Sequence, residues 1–84
     1  MKWTVVYRPD AADQLAEIWI KATDRQAVAD AANLIDGQLG TDPLSAGESR
    51  DENSRVILQD SLVVFFDVSE QDRSVSVWAV NVRT

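Results

Sequence analysis

The second half of the chain alternates between apolar runs and short polar turns. The runs predict three strands, Ser54–Gln59, Leu62–Val68 and Ser74–Val82, and their short connections favour an antiparallel meander. The middle run begins Leu-Val-Val-Phe-Phe. Because successive side chains of a strand point to opposite faces, this strand is apolar on both. A sheet that is covered on one face only alternates apolar with polar residues, so this pattern requires cover on both faces.

The beginning of the chain predicts one strand followed by a helix. The opening segment, Lys-Trp-Thr-Val-Val-Tyr, alternates, with Trp3, Val5 and Tyr7 on one face. A proline suits the first turn of a helix, and apolar residues then recur every three or four positions over residues 9–22. The same periodicity places Gln14 on the solvent side of this helix, among charged neighbours.

A second helix follows without a long connection. Its apolar stripe runs to Leu39, and the helix begins either at Thr23, which has a glutamine three residues on, or at Asp24. Its alanines allow close packing against the first helix, so the two form an antiparallel hairpin. Because Gly37 costs about 1 kcal/mol inside a helix, the helix ends there or continues to Gly40 as its C-cap.

Residues 41–53 form the one substantial loop of the predicted fold. The loop holds Pro43, Gly47 and a run of charged residues, and we expect Leu44, its only large apolar side chain, to pin it to the core. The complete order is strand, helical hairpin, loop and three-stranded meander (βααβββ). We therefore predict a single small α+β domain over residues 1–84, with the helices packed on one face of the sheet.

Two helices cover one face of a four-stranded sheet and leave the other face uncovered. In the last strand, strict alternation puts Trp78 and Val80 on the same side. Contiguous apolar area on an uncovered face marks an interaction site. The candidate partner-binding residues are Trp3, Phe65, Trp78 and Val80, with Val63 as a neighbour. Two alternatives stay open: the loop folds over part of this face, or a β-bulge shifts the assignment of faces.

The composition excludes several kinds of site. The chain has no cysteine and no histidine, which excludes disulfides, cysteine-based zinc sites and imidazole catalysis. The aspartates lack the spacing of a calcium loop, and we expect no metal and no cofactor. A net charge of −6 argues against direct nucleic-acid binding through the phosphate backbone.

No segment of the sequence marks the chain for a membrane. No apolar run approaches the length of a membrane-spanning helix, about 20 residues. The N-terminal residues lack the apolar region and cleavage site of a signal peptide. We therefore expect a cytoplasmic protein that does not bind a membrane.

Short segments spread over nearly the whole chain carry a resemblance to a known family. They are Trp3–Tyr7 leading to Pro9, then Leu15 and Ile18, then Leu39 with Asp42-Pro43 and Gly47, then Arg55-Val56, Leu62–Val68, Val75–Val80 and Arg83. In order and spacing these segments resemble the RelE/ParE superfamily, the toxins of type II toxin–antitoxin systems of the plasmid stabilisation type.

The resemblance implies a toxin that a cognate antitoxin neutralises by wrapping an extended or helical segment around it. Such a segment would supply the missing cover of the meander. RelE-like members cleave messenger RNA on the ribosome, whereas ParE-like members are not nucleases and poison DNA gyrase. The resemblance therefore implies gyrase or the ribosome as the target. A non-toxic binding module of the same fold, and a homodimer, stay as alternatives.

The ribonuclease residues of RelE-like members transfer poorly to this chain. Arg55 matches a basic position on the second strand and Arg83 matches the arginine after the last strand, so these two are the catalytic candidates. Two further basic positions fall at or near Ile57 and Leu62, and the C-terminal aromatic residue is missing. Arginine is a poor proton carrier because it stays protonated. The resemblance thus favours action through protein contacts over a degenerate ribonuclease. In the plainer interpretation, both arginines are surface charges that pair with an acid such as Asp67.

Overall fold

The chain folds into two layers, with a helical hairpin on one face of a five-stranded mixed sheet. The computed structural model describes residues 2–50 and 54–83. The strands run in the order β1-β5-β4-β3-β2, with β1 parallel to β5 and the other neighbours antiparallel. The elements are β1 (Thr4–Tyr7), α1 (Pro9–Lys21), α2 (Arg25–Thr41), β2 (Glu48–Ser49), β3 (Ser54–Gln59), β4 (Leu62–Ser69) and β5 (Ser74–Val82).

This architecture confirms the predicted α+β class, the order of its main elements and the placement of both helices on one face. The sheet has one strand more than predicted, because β2 forms inside the predicted loop. Neither α1, with 13 residues, nor α2, with 17, has the length and apolar composition that a bilayer span requires.

The two helices begin and end for identifiable reasons. Pro9 occupies the first turn of α1. Asp24, rather than Thr23, caps α2, and its side chain accepts a hydrogen bond from the Ala27 amide at 3.1 Å. Neither Gly37 nor Gly40 ends α2, which continues to Thr41.

The core lies between the helices and one face of the sheet, which we call the inner face. Alternate residues of β4 are buried there, and the stripe of α2 packs against them. The largest of these side chains, Phe66, Ile35 and Leu39, are completely buried, and each contributes about 1.5–3 kcal/mol relative to exposure. The side chains between them point to the opposite, outer face, which no helix covers.

A β-bulge in β5 changes which side chains reach the outer face. Phe66 lies opposite Val77, whereas Phe65 lies opposite Ala79, so Trp78 is an extra residue with no partner of its own. Trp78 therefore stays on the outer face and Val80, at 1% exposure, returns to the core. The expectation that Trp78 and Val80 share one face was wrong, because strict alternation does not survive an inserted residue.

The bulge is also the reason that Gln14 is not on the solvent side of α1. Gln14 is half-buried, and its side-chain oxygen accepts a hydrogen bond from the Val80 amide at 2.8 Å. A bulge disrupts the local ladder of main-chain hydrogen bonds, and an amide beside it needs another acceptor. α1 supplies that acceptor from above the sheet.

The segment before β3 attaches to the edge of the sheet. β2 pairs with β3, placing Glu48 opposite Val56, and Pro43 and Ala46 are buried. Leu44 is 42% exposed and does not pin the segment as expected. Pro43 and Ala46 do so instead, because they lie on the side that faces the core. In its described part, up to residue 50, this segment extends the sheet rather than covering the outer face; residues 51–53 of the predicted loop lie outside the described chain.

Candidate functional site: the outer face of the sheet

One half of the outer face is apolar. Val56 and Leu58 of β3 lie opposite Phe65 and Val63 of β4, and the bulge places Trp78 beside Phe65. We call these five residues the outer apolar patch. In β3 and β4 the patch residues alternate with residues of the inner face, as the two-residue period of a strand requires, whereas Trp78 joins them through the bulge.

The centre of this patch is an aromatic pair. The rings of Phe65 and Trp78 have centroids 5.2 Å apart and an interplanar angle of 34°, a geometry worth about 0.5–1.5 kcal/mol beyond area burial. Trp78 stays 37% exposed and Leu58 53% exposed. An exposed tryptophan held in place by a neighbouring ring is pre-ordered for contact, and tryptophan is enriched among residues that dominate binding energy.

The other half of the outer face is polar. Ser54, Asp67 and Ser76 lie opposite one another on β3, β4 and β5. Asp67 accepts hydrogen bonds from the Ser54 hydroxyl at 2.6 Å and from the Arg8 guanidinium at 3.4 Å, and Arg8 also donates to the Ser76 hydroxyl at 3.0 Å. Both members of the ion pair are partly exposed, so the pair contributes at most about 1 kcal/mol.

This cluster shows which residue pairs with Asp67: it is Arg8, which the sequence had not singled out. Asp67 pairs with an arginine, as one interpretation expected, but with Arg8 rather than with Arg55 or Arg83. Arg8 reaches it because β1 pairs with β5 in parallel, which brings the end of β1 beside Ser76. No local pattern predicts that long-range pairing.

The two candidate catalytic arginines do not meet. Arg55 lies opposite Phe66 on β4, whereas Arg83 follows Val82, which lies opposite Leu62. The step along β4 between those two positions is about 13 Å. Arg55 is half-buried on the inner face and donates to the main-chain oxygens of Ala46 and Gly47, at 3.1 and 3.3 Å. Its hydrogen bonds therefore hold the segment before β3.

The chain's one tyrosine is also committed elsewhere. The Tyr7 hydroxyl donates to the Asp36 carboxylate at 2.7 Å, joining β1 to α2 on the helix side of the sheet. Burial, and then the hydrogen bond and negative charge of Asp36, raise the pKa of Tyr7 well above its usual value. Tyr7 therefore stays protonated and does not reach the outer face.

The structure separates the four predicted partner-binding residues into two groups. Phe65 and Trp78 lie side by side on the outer face. Val80 is a core residue, and Trp3 packs against the core from the helix side, with the Arg73 guanidinium 4.9 Å from its ring centroid. Trp3 shares the inner face with Val5 and Tyr7, as its alternation predicts, so it belongs outside the uncovered set.

Val56 and Leu58 complete the patch, and neither was among the residues predicted for the uncovered face. A local signal for them exists: in residues 54–59 they alternate with Arg55, Ile57 and Gln59. Which of the two faces was the uncovered one depended on the register with β4, and local alternation does not determine that register.

Comparison with solved structures identifies the fold. The RelBE2 toxin–antitoxin complex from Mycobacterium tuberculosis matches with a TM-score of 0.79 and 17% identity, over 99% of this chain and 93% of that chain. The chromosomal ParDE toxin–antitoxin system from P. aeruginosa matches with a TM-score of 0.75 and 14% identity, over 98% and 97%. The isolated E. coli RelE toxin matches with a TM-score of 0.70 and 13% identity, over 98% and 85%.

These similarities confirm the predicted fold: the chain has the fold of RelE/ParE toxins over almost its full length. At these identities the likeness concerns the fold alone. No protein-family model matches the sequence, and no curated protein matches it.

Proposed function

We propose that this chain is the toxin component of a type II toxin–antitoxin pair of the plasmid stabilisation type, and that it acts through protein contacts. The observation that carries the proposal is the outer apolar patch, with an ordered and exposed tryptophan at its centre. Solved structures with the same fold include two toxin–antitoxin systems, RelBE2 and ParDE. A cognate antitoxin is therefore the first partner to test.

The positions of the ionisable groups argue against a ribonuclease. Cleavage of RNA requires a group that activates the 2′-hydroxyl and another that protonates the leaving oxygen. Arg55 donates to main-chain oxygens, Tyr7 to Asp36, and the chain has no histidine. Among the described residues of the outer face, the charged side chains near the patch are Arg8 and Asp67, which pair with each other, and Glu48.

The proposed target is either DNA gyrase or the ribosome, in the cytoplasm. ParE-like toxins, which the sequence resembles, poison DNA gyrase without being nucleases themselves. Inhibition through protein contacts is consistent with the exposed outer apolar patch. The ribosome is the second candidate, because RelE-like toxins act there. The experiment has to separate the two.

The first test measures the growth of cells that express the chain. Induced expression of the chain alone should arrest growth, and co-expression of a neighbouring small reading frame should relieve the arrest. Purified protein should then inhibit either gyrase supercoiling or cell-free translation while messenger RNA stays intact. Messenger cleavage that Arg83→Ala abolishes would contradict the proposal. If the chain does not arrest growth but still binds the protein encoded by the neighbouring reading frame, the result would instead support the non-toxic binding module.

The second test uses two tryptophans of similar exposure. Trp78 is 37% exposed in the outer apolar patch, and Trp19 is 42% exposed on α1, away from it. Trp78→Ser should weaken binding of the neighbouring product by about tenfold or more, which is the size of a moderate hot spot. Trp19→Ser should leave this affinity within about twofold. Equal effects of the two substitutions would show that the patch is not the contact surface.

A further inference from the structure

A groove runs between α2 and the outer edge of the sheet. Its volume is about 860 Å³. One wall is formed by Leu34 and Gly37 of α2, and the other by β3, from Val56 to Gln59. Leu34 and Leu58, on the two sides, are each 53% exposed. We call this the α2–β3 groove; Leu58 belongs both to it and to the outer apolar patch, so the two surfaces are continuous.

α2 presents a second stripe along this groove. Leu34, Gly37, Gln38 and Thr41 all line it, and their spacing is i, i+3, i+4 and i+7, which places them on one side of the helix. The stripe that packs on the core is a different one, formed by Val28, Ala31, Ile35 and Leu39. A helix with a core stripe and a second, outward stripe presents a surface on which a further helix can pack.

Gly37 lies in the middle of this second stripe, and no contact within the molecule requires a glycine there. A Cβ at this position would meet no atom within 4 Å, so internal packing does not require glycine. The residue lies well inside α2, where glycine lowers helix stability. A glycine on an exposed helix face allows the main chain of a partner helix to come close to α2.

The groove is acidic. The charged residues that line it are Asp42 and Glu48, with no lysine or arginine among its lining. Of the basic residues nearby, Arg55 donates to the carbonyls of Ala46 and Gly47, Arg50 follows β2, and Lys2 lines an adjoining cavity that shares Gly37 and Thr41 with the groove. The chain as a whole carries −6, so a second copy of it would be repelled, whereas a basic segment would be attracted.

We propose that the α2–β3 groove binds a basic amphipathic helix of the antitoxin, which packs on α2 at Gly37, inserts apolar side chains between Leu34 and Leu58, and directs lysine or arginine towards Asp42 and Glu48. The inference rests on the proposed function for the identity of the partner. It adds the site, the shape and the charge of the segment that binds there.

The experiment begins with a displayed library of helical peptides as long as α2, selected on the full chain. Enriched peptides should carry an apolar stripe and a positive net charge. Their affinity should fall by about tenfold or more on Gly37→Leu, Leu34→Ser and Leu58→Ser. Ile20→Ser is the matched control, because Ile20 is 59% exposed on α1, outside the groove; it should change affinity by less than about twofold.

A Cβ at position 37 meets no atom within 4 Å, so we expect Gly37→Leu to fold; thermal melting should show an intact fold. Enriched peptides with a negative net charge, or peptides that bind Gly37→Leu as well as the wild-type chain, would overturn the inference. So would an absence of enriched peptides, or amide chemical-shift changes that fall outside the groove. Sedimentation that shows dimers lost in Gly37→Leu would assign the groove to a second copy and would overturn it too.

The same variants separate this inference from the proposed function. If expression arrests growth and the neighbouring product relieves it equally in wild type and Gly37→Leu, with unchanged affinity, the function stands and the groove assignment fails. If the wild-type chain causes no arrest and does not bind the neighbouring product, the proposed function itself fails. Relief that is lost in Gly37→Leu and retained in Ile20→Ser supports both.

Discussion

The side-chain oxygen of Gln14 accepts a hydrogen bond from the Val80 amide at 2.8 Å, and this contact ties α1 to β5 beside the bulge. It stabilises the arrangement in which Trp78 points outward and Val80 inward. We therefore expect the exposure of Trp78 on the outer face to depend on Gln14, a polar residue of the helical layer.

Replacing this acceptor should destabilise the fold. Gln14→Ala leaves the Val80 amide without a partner in a place that water reaches poorly, and such a loss costs about 1–3 kcal/mol. Urea unfolding followed by circular dichroism measures the change. Asp13→Ala, at the exposed neighbouring position of α1, should shift the free energy of unfolding by less than about 0.5 kcal/mol. Equal stabilities of the two variants would show that the bulge does not need Gln14.

Local patterns were sufficient for much of this fold. The helices over residues 9–22 and 24–39 and the three strands of the meander were predicted within a few positions, because each has a strong apolar period. The alternation of Trp3, Val5 and Tyr7 correctly placed them on one face. These features depend on neighbouring residues only, and the sequence contains that information.

The outer face was harder to predict because it depends on pairings between distant residues. The bulge at Trp78 lies in a stretch that is apolar on both sides, so an inserted residue leaves no visible break in the pattern. The meeting of Arg8 with Asp67 requires the parallel pairing of β1 and β5. β2 is only two polar residues long and has no strand signal of its own.

Replacing Gly47 or Gly37 by alanine should change the free energy of unfolding in opposite directions. Gly47 has φ +66°, and a Cβ there would overlap the carbonyl oxygen of Val56; Gly47→Ala should therefore lower the free energy of unfolding by about 1–3 kcal/mol. Gly37→Ala should raise it by up to about 1 kcal/mol, because the helix gains propensity and nothing is displaced. Differential scanning calorimetry of both variants tests this. Destabilisation by Gly37→Ala would mean that the helix needs glycine there for the fold itself.

The hydrogen bond between Tyr7 and Asp36 should make stability depend on alkaline pH. The raised pKa of Tyr7 means that the folded chain holds its phenolic proton more tightly than the unfolded chain does. Its contribution is therefore complete below pH ~10, the usual tyrosine pKa, and is lost above that at about 1.4 kcal/mol per pH unit. Urea unfolding across this range should show the slope in the wild type. Tyr7→Phe removes the titrating group and should flatten the slope; an identical slope in the variant would contradict the assignment.

Arg55 should prove to be a structural residue that supports the groove. Arg55→Gln removes the donors to Ala46 and Gly47, and hydrogen bonds from a charged donor contribute about 1.5–3 kcal/mol. We expect faster amide exchange in β2, with the β3–β4 ladder unchanged. Arg83→Gln is the matched control, since Arg83 is exposed and its main-chain amide, which bonds Ser61, is kept. If Arg55→Gln instead abolished a nuclease activity without changing exchange in β2, Arg55 would be catalytic and the protein-contact function would be wrong.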